Sequence, residues 1–165
     1  MNDLPETLQQ SLNDYFAAFE RRDAESLLQK LHPGLFRYVP EEQLRQLLRD
    51  QLSDESNHIQ NIRYLNCSNP IMVNEQNYIL VLYYFEMLIG SAFSDLAESF
   101  FVATYGKENV IYDPKKSIFV IQTHGQLYAI QSPEGEDWVF LEKKDALMNI
   151  LEVLLPSEVL MLSVH

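Results

Sequence analysis

Apolar residues recur at helical spacing in the first third of the chain and in denser runs, often at every second position, thereafter. The pattern therefore predicts helices first and strands afterwards. Leu4, Leu8, Leu12, Tyr15, Phe16 and Phe19 make one stripe and predict a helix over residues 4–21, with Pro5 in its first turn, where a missing N–H is harmless. Asp23 is placed to cap a second helix carrying Ala24, Leu27, Leu28 and Leu31, which must stop before Pro33 and Gly34. A short extended piece is expected over residues 35–39, followed after Pro40 by a third helix over 41–52, through Leu44, Leu47, Leu48 and Leu52.

Beyond the polar break at residues 53–57 the texture turns β-branched and aromatic. Residues 59–67 read as a strand, and residues 77–89, NYILVLYYFEMLI, form the longest unbroken apolar run and the expected central strand. Alternation places Ile79, Val81, Tyr83, Phe85, Met87 and Ile89 on one face, and Tyr78, Leu80, Leu82, Tyr84, Glu86 and Leu88 on the other. Both faces are mostly apolar, so both are expected to be covered. Residues 94–105 fit either a strand or a helix. Helix is favoured, because Leu96, Ala97, Phe100, Phe101 and Thr104 share a face, Asp95 and Glu98 have capping-box spacing, and Gly106 supplies a stop. Four strands are expected next, over 109–113, 117–123, 126–132 and 137–142, joined by turns at Pro114-Lys115-Lys116, at His124-Gly125 and at residues 133–136. An apolar helix over 144–155, broken by Pro156 before a last turn with Val159, Leu160 and Leu162, ends the pattern.

The order of elements implies an α+β fold: N-terminal helices packed on one face of a curved antiparallel sheet, with an apolar C-terminal helix. At 165 residues, with no internal repeat or linker, the chain is expected to be one domain over residues 1–165. An apolar fraction of 47% excludes a disordered chain. A net charge of −12 repels phosphate backbones and anionic lipid, so neither nucleic acid nor membrane is an expected partner. Glu86 interrupts the longest apolar run too early for a membrane span. The N-terminal stretch shows no basic segment followed by an apolar core, and Cys67 is the only cysteine, so a reducing, cytoplasmic location is expected.

The segment Tyr15-Phe16-Ala17-Ala18-Phe19-Glu20-Arg21-Arg22-Asp23, together with the element order, resembles the nuclear-transport-factor-2-like superfamily. There an aromatic and small residues end helix one, and an Asp starts helix two. The resemblance implies a cystatin-like α+β cone, with relatives of the SnoaL-like and ketosteroid-isomerase-like types that move protons inside it. Tyr15 is similar in position to the hydrogen-bond donor of those isomerases. The residue similar in position to their base is Val39, before Pro40, and valine cannot carry a proton. Catalysis of that type is therefore not the leading expectation.

Two residues stand as catalytic candidates. Tyr15, read without the resemblance, is a core residue with its hydroxyl at the rim, and Glu86 either reaches solvent or sits buried with a raised pKa that would mark a site. Residues expected at a ligand pocket are Tyr15, Phe19, Tyr38, Tyr84, Glu86 and Trp138, the last also the expected seat of the C-terminal helix or simply core. The leucines of that helix suggest either a lid over the cone or the seam of a homodimer. His32, His58, His124 and His165 lack ligand spacing, and neither a glycine-rich phosphate loop nor a nucleophile elbow occurs, so no metal or cofactor is expected. The leading expectation is a homodimeric binding module for a small apolar ligand or a partner protein. The alternative is an isomerase, cyclase or dehydratase using Tyr15 and a carboxylate such as Glu86.

Overall fold

A computed structural model describes residues 3–91, 93–133 and 135–165. Helix α1 spans Glu6–Glu20 and α2 Ala24–Lys30. Between them the chain reverses in a Schellman turn: Asp23 N–H donates to Ala18 O at 2.9 Å and Arg22 N–H to Phe19 O at 3.1 Å, with Arg22 in the left-handed region at φ 58°. Asp23 then caps α2, accepting from Ser26 N–H at 3.2 Å and from the Ser26 hydroxyl at 2.6 Å, as its spacing predicts.

Residues 35–39 are not extended. A 3-10 helix occupies Pro33–Arg37, with His32 Nδ1 accepting from Gly34 N–H at 2.9 Å. The tighter winding carries Leu35 into an apolar cluster on the far side of the sheet, a gain that local propensity does not register. Helix α3, Glu41–Ser53, follows, held to α2 by Arg45, whose Nε lies 2.9 Å from Glu25 Oε2.

Six strands form one antiparallel sheet: β1 Asn57–Cys67, β2 Ile71–Val73, β3 Gln76–Gly90, β4 Val110–Asp113, β5 Ile118–Gln131 and β6 Trp138–Glu142. The order is β1-β3-β5-β4, with β2 also on β3 and β6 on β5. The register of β1 on β3 shifts between Gln60 and Arg63, where Asn61 has φ 51°, and again between Tyr64 and Asn66. Such bulges bend and twist the sheet toward a half-barrel.

The expected turn at His124-Gly125 does not exist. Both residues lie inside β5, which pairs with β3 from Tyr78↔Ile130 to Gly90↔Ile118 without a break. Gly125 stands opposite Tyr83, and a Cβ built on it would come within 2.4 Å of Tyr83 Cζ. The glycine therefore makes room for a ring rather than for a turn. At the third turn, Ser132 N–H donates to Asp137 O at 2.9 Å, while Glu134 lies outside the described residues.

Helix α4 spans Asp95–Tyr105, capped by Ser94, whose hydroxyl oxygen accepts from Ala97 N–H at 3.1 Å, one residue earlier than the expected Asp95 box. Gly106, at φ 94°, ends it. The C-terminal apolar stretch is not one helix. It divides into a 3-10 turn at Asp145–Leu147, α5 at Met148–Leu154 and α6 at Ser157–Leu160.

Two apolar clusters sandwich the sheet. Leu8, Leu12, Tyr15 and Phe16 of α1 pack with Leu27 of α2 on Ile79, Val81, Tyr83, Leu127, Ala129, Trp138 and Phe140. On the opposite face Leu151, Leu155 and Val159 pack on Tyr78, Leu80, Tyr128, Ile130 and Leu141. The helices are thus not confined to one face. Leu151 and Leu155 pack on the sheet itself and supply the second cover that the two-sided central strand requires. Trp138 is not their seat: period two turns it toward α1, where its Nε1 donates to Thr7 Oγ1 at 3.0 Å. Among the described residues no helix is long and apolar enough to cross a membrane.

Candidate functional site

Between the end of α1 and the inner face of the sheet lies a cavity of about 270 Å³. Its wall is mostly apolar, built from Phe16 and Phe19 of α1, Ile59 and Ile62 of β1, and Phe85 and Met87 of β3. The aromatic rings are in contact, with Phe16 and Tyr83 centroids 5.3 Å apart, Tyr83 and Phe85 5.5 Å, and Tyr15 and Phe19 edge to face at 5.1 Å.

His124, Gln126, Lys143 and Lys144 complete the lining, and one carboxyl group stands among them. Glu142 ends β6, two residues beyond Phe140, and period two turns it inward. Tyr15 Oη donates to Glu142 Oε1 at 2.9 Å and Tyr83 Oη to Oε2 at 2.8 Å. Each carboxyl oxygen is thus held by a phenol from a different element. Burial pushes the Glu142 carboxyl above the ordinary carboxylate range, although the Lys144 charge and the two tyrosine hydrogen bonds pull the other way. Burial, and then the neighbouring Glu142 charge, push both tyrosine hydroxyls upward, so they remain protonated donors.

Of the residues expected at the pocket, Tyr15 and Phe19 line this cavity. Tyr84 and Glu86 face the other side of β3, where Glu86 accepts from Tyr84 Oη at 2.9 Å, from Gln60 Nε2 at 3.1 Å and from Asn61 Nδ2. Burial alone would raise the Glu86 carboxyl, but these hydrogen bonds and one from Gln122 outweigh it, and the group sits below its ordinary range. Glu86 is a surface carboxylate bonded by its neighbours, the solvent-reaching case of the two that the sequence allowed. Tyr38 is 46% exposed after the 3-10 helix, and Trp138 is 3% exposed in the core. Neither lines the cavity. Among the described residues no group of three or more His, Cys, Asp or Glu side chains is placed to hold a metal ion.

Sequence reasoning missed Glu142 and the role of Tyr83. The run Trp138-Val139-Phe140-Leu141-Glu142 carries a usable signal: a carboxylate in phase with two aromatics at the end of an inward-facing strand. The partnership of Tyr83 with Tyr15 has no such signal, since it depends on how α1 crosses the sheet.

No protein-family model matches the chain, and no curated protein matches it. Among solved structures it is similar to a proposed dehydratase of the NTF2-like family from Streptomyces avermitilis, at 12% identity and a TM-score of 0.43, covering 82% of this chain and 89% of that one. It is similar to TsrD from Streptomyces laurentii, at 14% identity and a TM-score of 0.39, covering 91% and 96%. An uncharacterized protein with a cystatin-like fold from Caulobacter vibrioides is similar at 12% identity and a TM-score of 0.39, covering 90% and 96%. By its own element order and sheet topology, the chain has the α+β fold, opening helices on a bent antiparallel sheet, that the nuclear-transport-factor-2-like resemblance implies.

Proposed function

We propose that the chain binds a small, largely apolar molecule in the cavity between α1 and the sheet, holding it by one polar group at Glu142. The observation that carries this reading is a carboxyl group, fixed by two tyrosines, in a wall that is mostly aromatic and aliphatic, with His124, Gln126, Lys143 and Lys144 on its remaining side. A few placed polar atoms in a greasy concavity fix a ligand's orientation while burial supplies affinity. At about 270 Å³ the space lies just below the range of roughly 300–1,000 Å³ typical of drug-sized ligands, so the occupant is small. The test uses 2-naphthol, a two-ring apolar body with one hydroxyl. Saturable binding followed by its fluorescence is the expected result, with affinity at least tenfold weaker in Glu142→Leu. Absence of saturation at millimolar probe would end the proposal.

A second reading is proton transfer on such a ligand, the isomerase, cyclase or dehydratase alternative, with Glu142 in the part first given to Glu86. What favours it is the raised affinity of the Glu142 carboxyl for a proton, caused by burial, which suits a group that takes and returns one. It predicts that the protein speeds exchange of the α-hydrogens of 2-tetralone in D2O above the buffer rate, and that Glu142→Gln removes the acceleration. Exchange at the buffer rate in the wild type would leave binding as the function.

A further inference from the structure

We infer that the ligand of this cavity carries a protonated amine, which pairs with Glu142 while aromatic rings surround its apolar body. The inference rests on the cavity being a ligand site and names the chemistry of what enters it. Three observations lead there.

The first is the way Glu142 is held. Tyr15 and Tyr83 each direct an O–H at a different carboxyl oxygen. A carboxylate accepts at both oxygens, whereas a neutral acid carries a proton on one of them and needs an acceptor there. With both phenols donating, one per oxygen, the cradle suits the charged form; a neutral acid would need one phenol oxygen to accept its proton instead. About four acceptor positions exist on a carboxylate, so two remain for a ligand.

The second is the lack of a close ion pair: among the described residues no salt bridge includes Glu142, and the Lys144 charge acts on it only from the exposed rim. Among the described residues the ion pairs are those of Arg45 and Arg49 with Glu25, Glu41 and Glu42, far in the fold from this cavity. Lys143 turns its ammonium toward the Tyr128 ring, 5.9 Å from the centroid, and Tyr128 belongs to the cluster on the opposite face of the sheet. Lys144 lines the mouth but is exposed, so its charge stays largely hydrated. Burying a carboxylate without a paired cation is unfavourable, and a ligand cation would supply the pair.

The third is the wall. Tyr15, Phe16, Phe19, Tyr83 and Phe85 all line the cavity. Ring faces attract cations, and aromatic enclosures are a recurrent way of holding an ammonium group. The same rings accept an aryl or alkyl body. A ligand carboxylate would meet Glu142 as a like charge, and the net charge of −12 favours the approach of cations over anions.

Three matched probes test this at pH 8 and 150 mM salt: 2-naphthylmethylamine, its neutral counterpart 2-naphthalenemethanol, and 2-naphthoate. The amine is expected to bind at least tenfold more tightly than the alcohol, and the carboxylate not to bind. Glu142→Gln should bring the amine down to the level of the alcohol, while Glu86→Gln, on the other face of the sheet, leaves the amine's advantage intact. If the alcohol binds as tightly as the amine, the inference falls and the pocket reading stands. If Glu86→Gln lowers amine binding as far as Glu142→Gln does, the preference reflects overall charge and the inference falls. If none of the three probes binds, the inference and the pocket reading fall together.

Discussion

Replacing Gly125 with alanine is expected to lower stability by about 2–3 kcal/mol, at the upper end for adding a methyl group to a packed interior. The new Cβ would stand 2.4 Å from Tyr83 Cζ and 2.5 Å from its hydroxyl oxygen. A ring at the free end of a side chain can often swing aside, but this one is pinned. Tyr83 is 9% exposed, packs between Phe16 and Phe85, and donates to Glu142. Moving it breaks the hydrogen bond and opens the cluster; leaving it forces β3 and β5 apart along their continuous ladder. In urea the midpoint should fall while the slope stays the same, since the change is one of stability and not of compactness. In a Tyr83→Leu background the penalty for Gly125→Ala should drop to less than half, because the two residues are direct cross-strand partners. An unchanged penalty in that background would show that the glycine is needed for backbone reasons instead. The same substitution should also weaken 2-naphthol binding, because Tyr83 would no longer hold Glu142.

Glu142→Gln is expected to change how stability depends on pH. Burial raises the folded-state proton affinity of Glu142 above that of the unfolded chain, near 4.3 for a model glutamate. Between the unfolded and folded values the native state binds more protons than the unfolded state, so stability from this group falls as pH rises. Its contribution is complete below the unfolded value and is lost as pH passes through the raised folded one. Asp23, Glu25 and Asp54 act oppositely, since hydrogen bonds lower their proton affinity and they lose stability in acid. They are the same in both proteins and cancel in the difference. The advantage of wild type over Glu142→Gln should therefore be largest near pH 4 and below and shrink as pH rises from there, as read from paired urea titrations. A constant difference would mean that Glu142 titrates as it does in the unfolded chain, and one that grows with pH that the fold stabilises its charged form instead; either overturns the expectation. Glu142→Leu should lose a further 1–3 kcal/mol, roughly the penalty for a buried polar group left without its partner, because leucine offers Tyr15 and Tyr83 nothing to bond.

Much of the secondary structure is legible in the residues because its causes are local. The α1 stripe, the Asp23 cap, the Gly106 stop and the two apolar faces of β3 follow from side-chain period and capping chemistry within a few positions. The failures share one feature: the deciding partner is distant in the chain. His124-Gly125 has the composition of a turn, yet Tyr83, forty-two positions earlier, fills the space that the glycine leaves. Residues 35–39 look extended until Leu35 finds its cluster across the sheet.

The candidate site divides in the same way. Tyr15 and Phe19 were reachable from the helix stripe and lie where a ligand could meet them. Glu86 attracted notice because a carboxylate within a greasy strand is unusual, but Gln60, Asn61 and Tyr84 bond it on the outer face. Glu142 has the chemical environment first sought at Glu86. The amino-acid order by itself determined α1 to α4, the two-faced central strand, the single cysteine and the acidic charge, because each depends on neighbours or on composition. Only the folded chain decided which carboxylate faces the cavity, since that depends on α1, β3 and β6 converging. Such convergence is set by packing between segments far apart in the chain, with Tyr15 and Glu142 separated by 127 positions and Tyr83 and Glu142 by 59, for which sequence periodicity has no term.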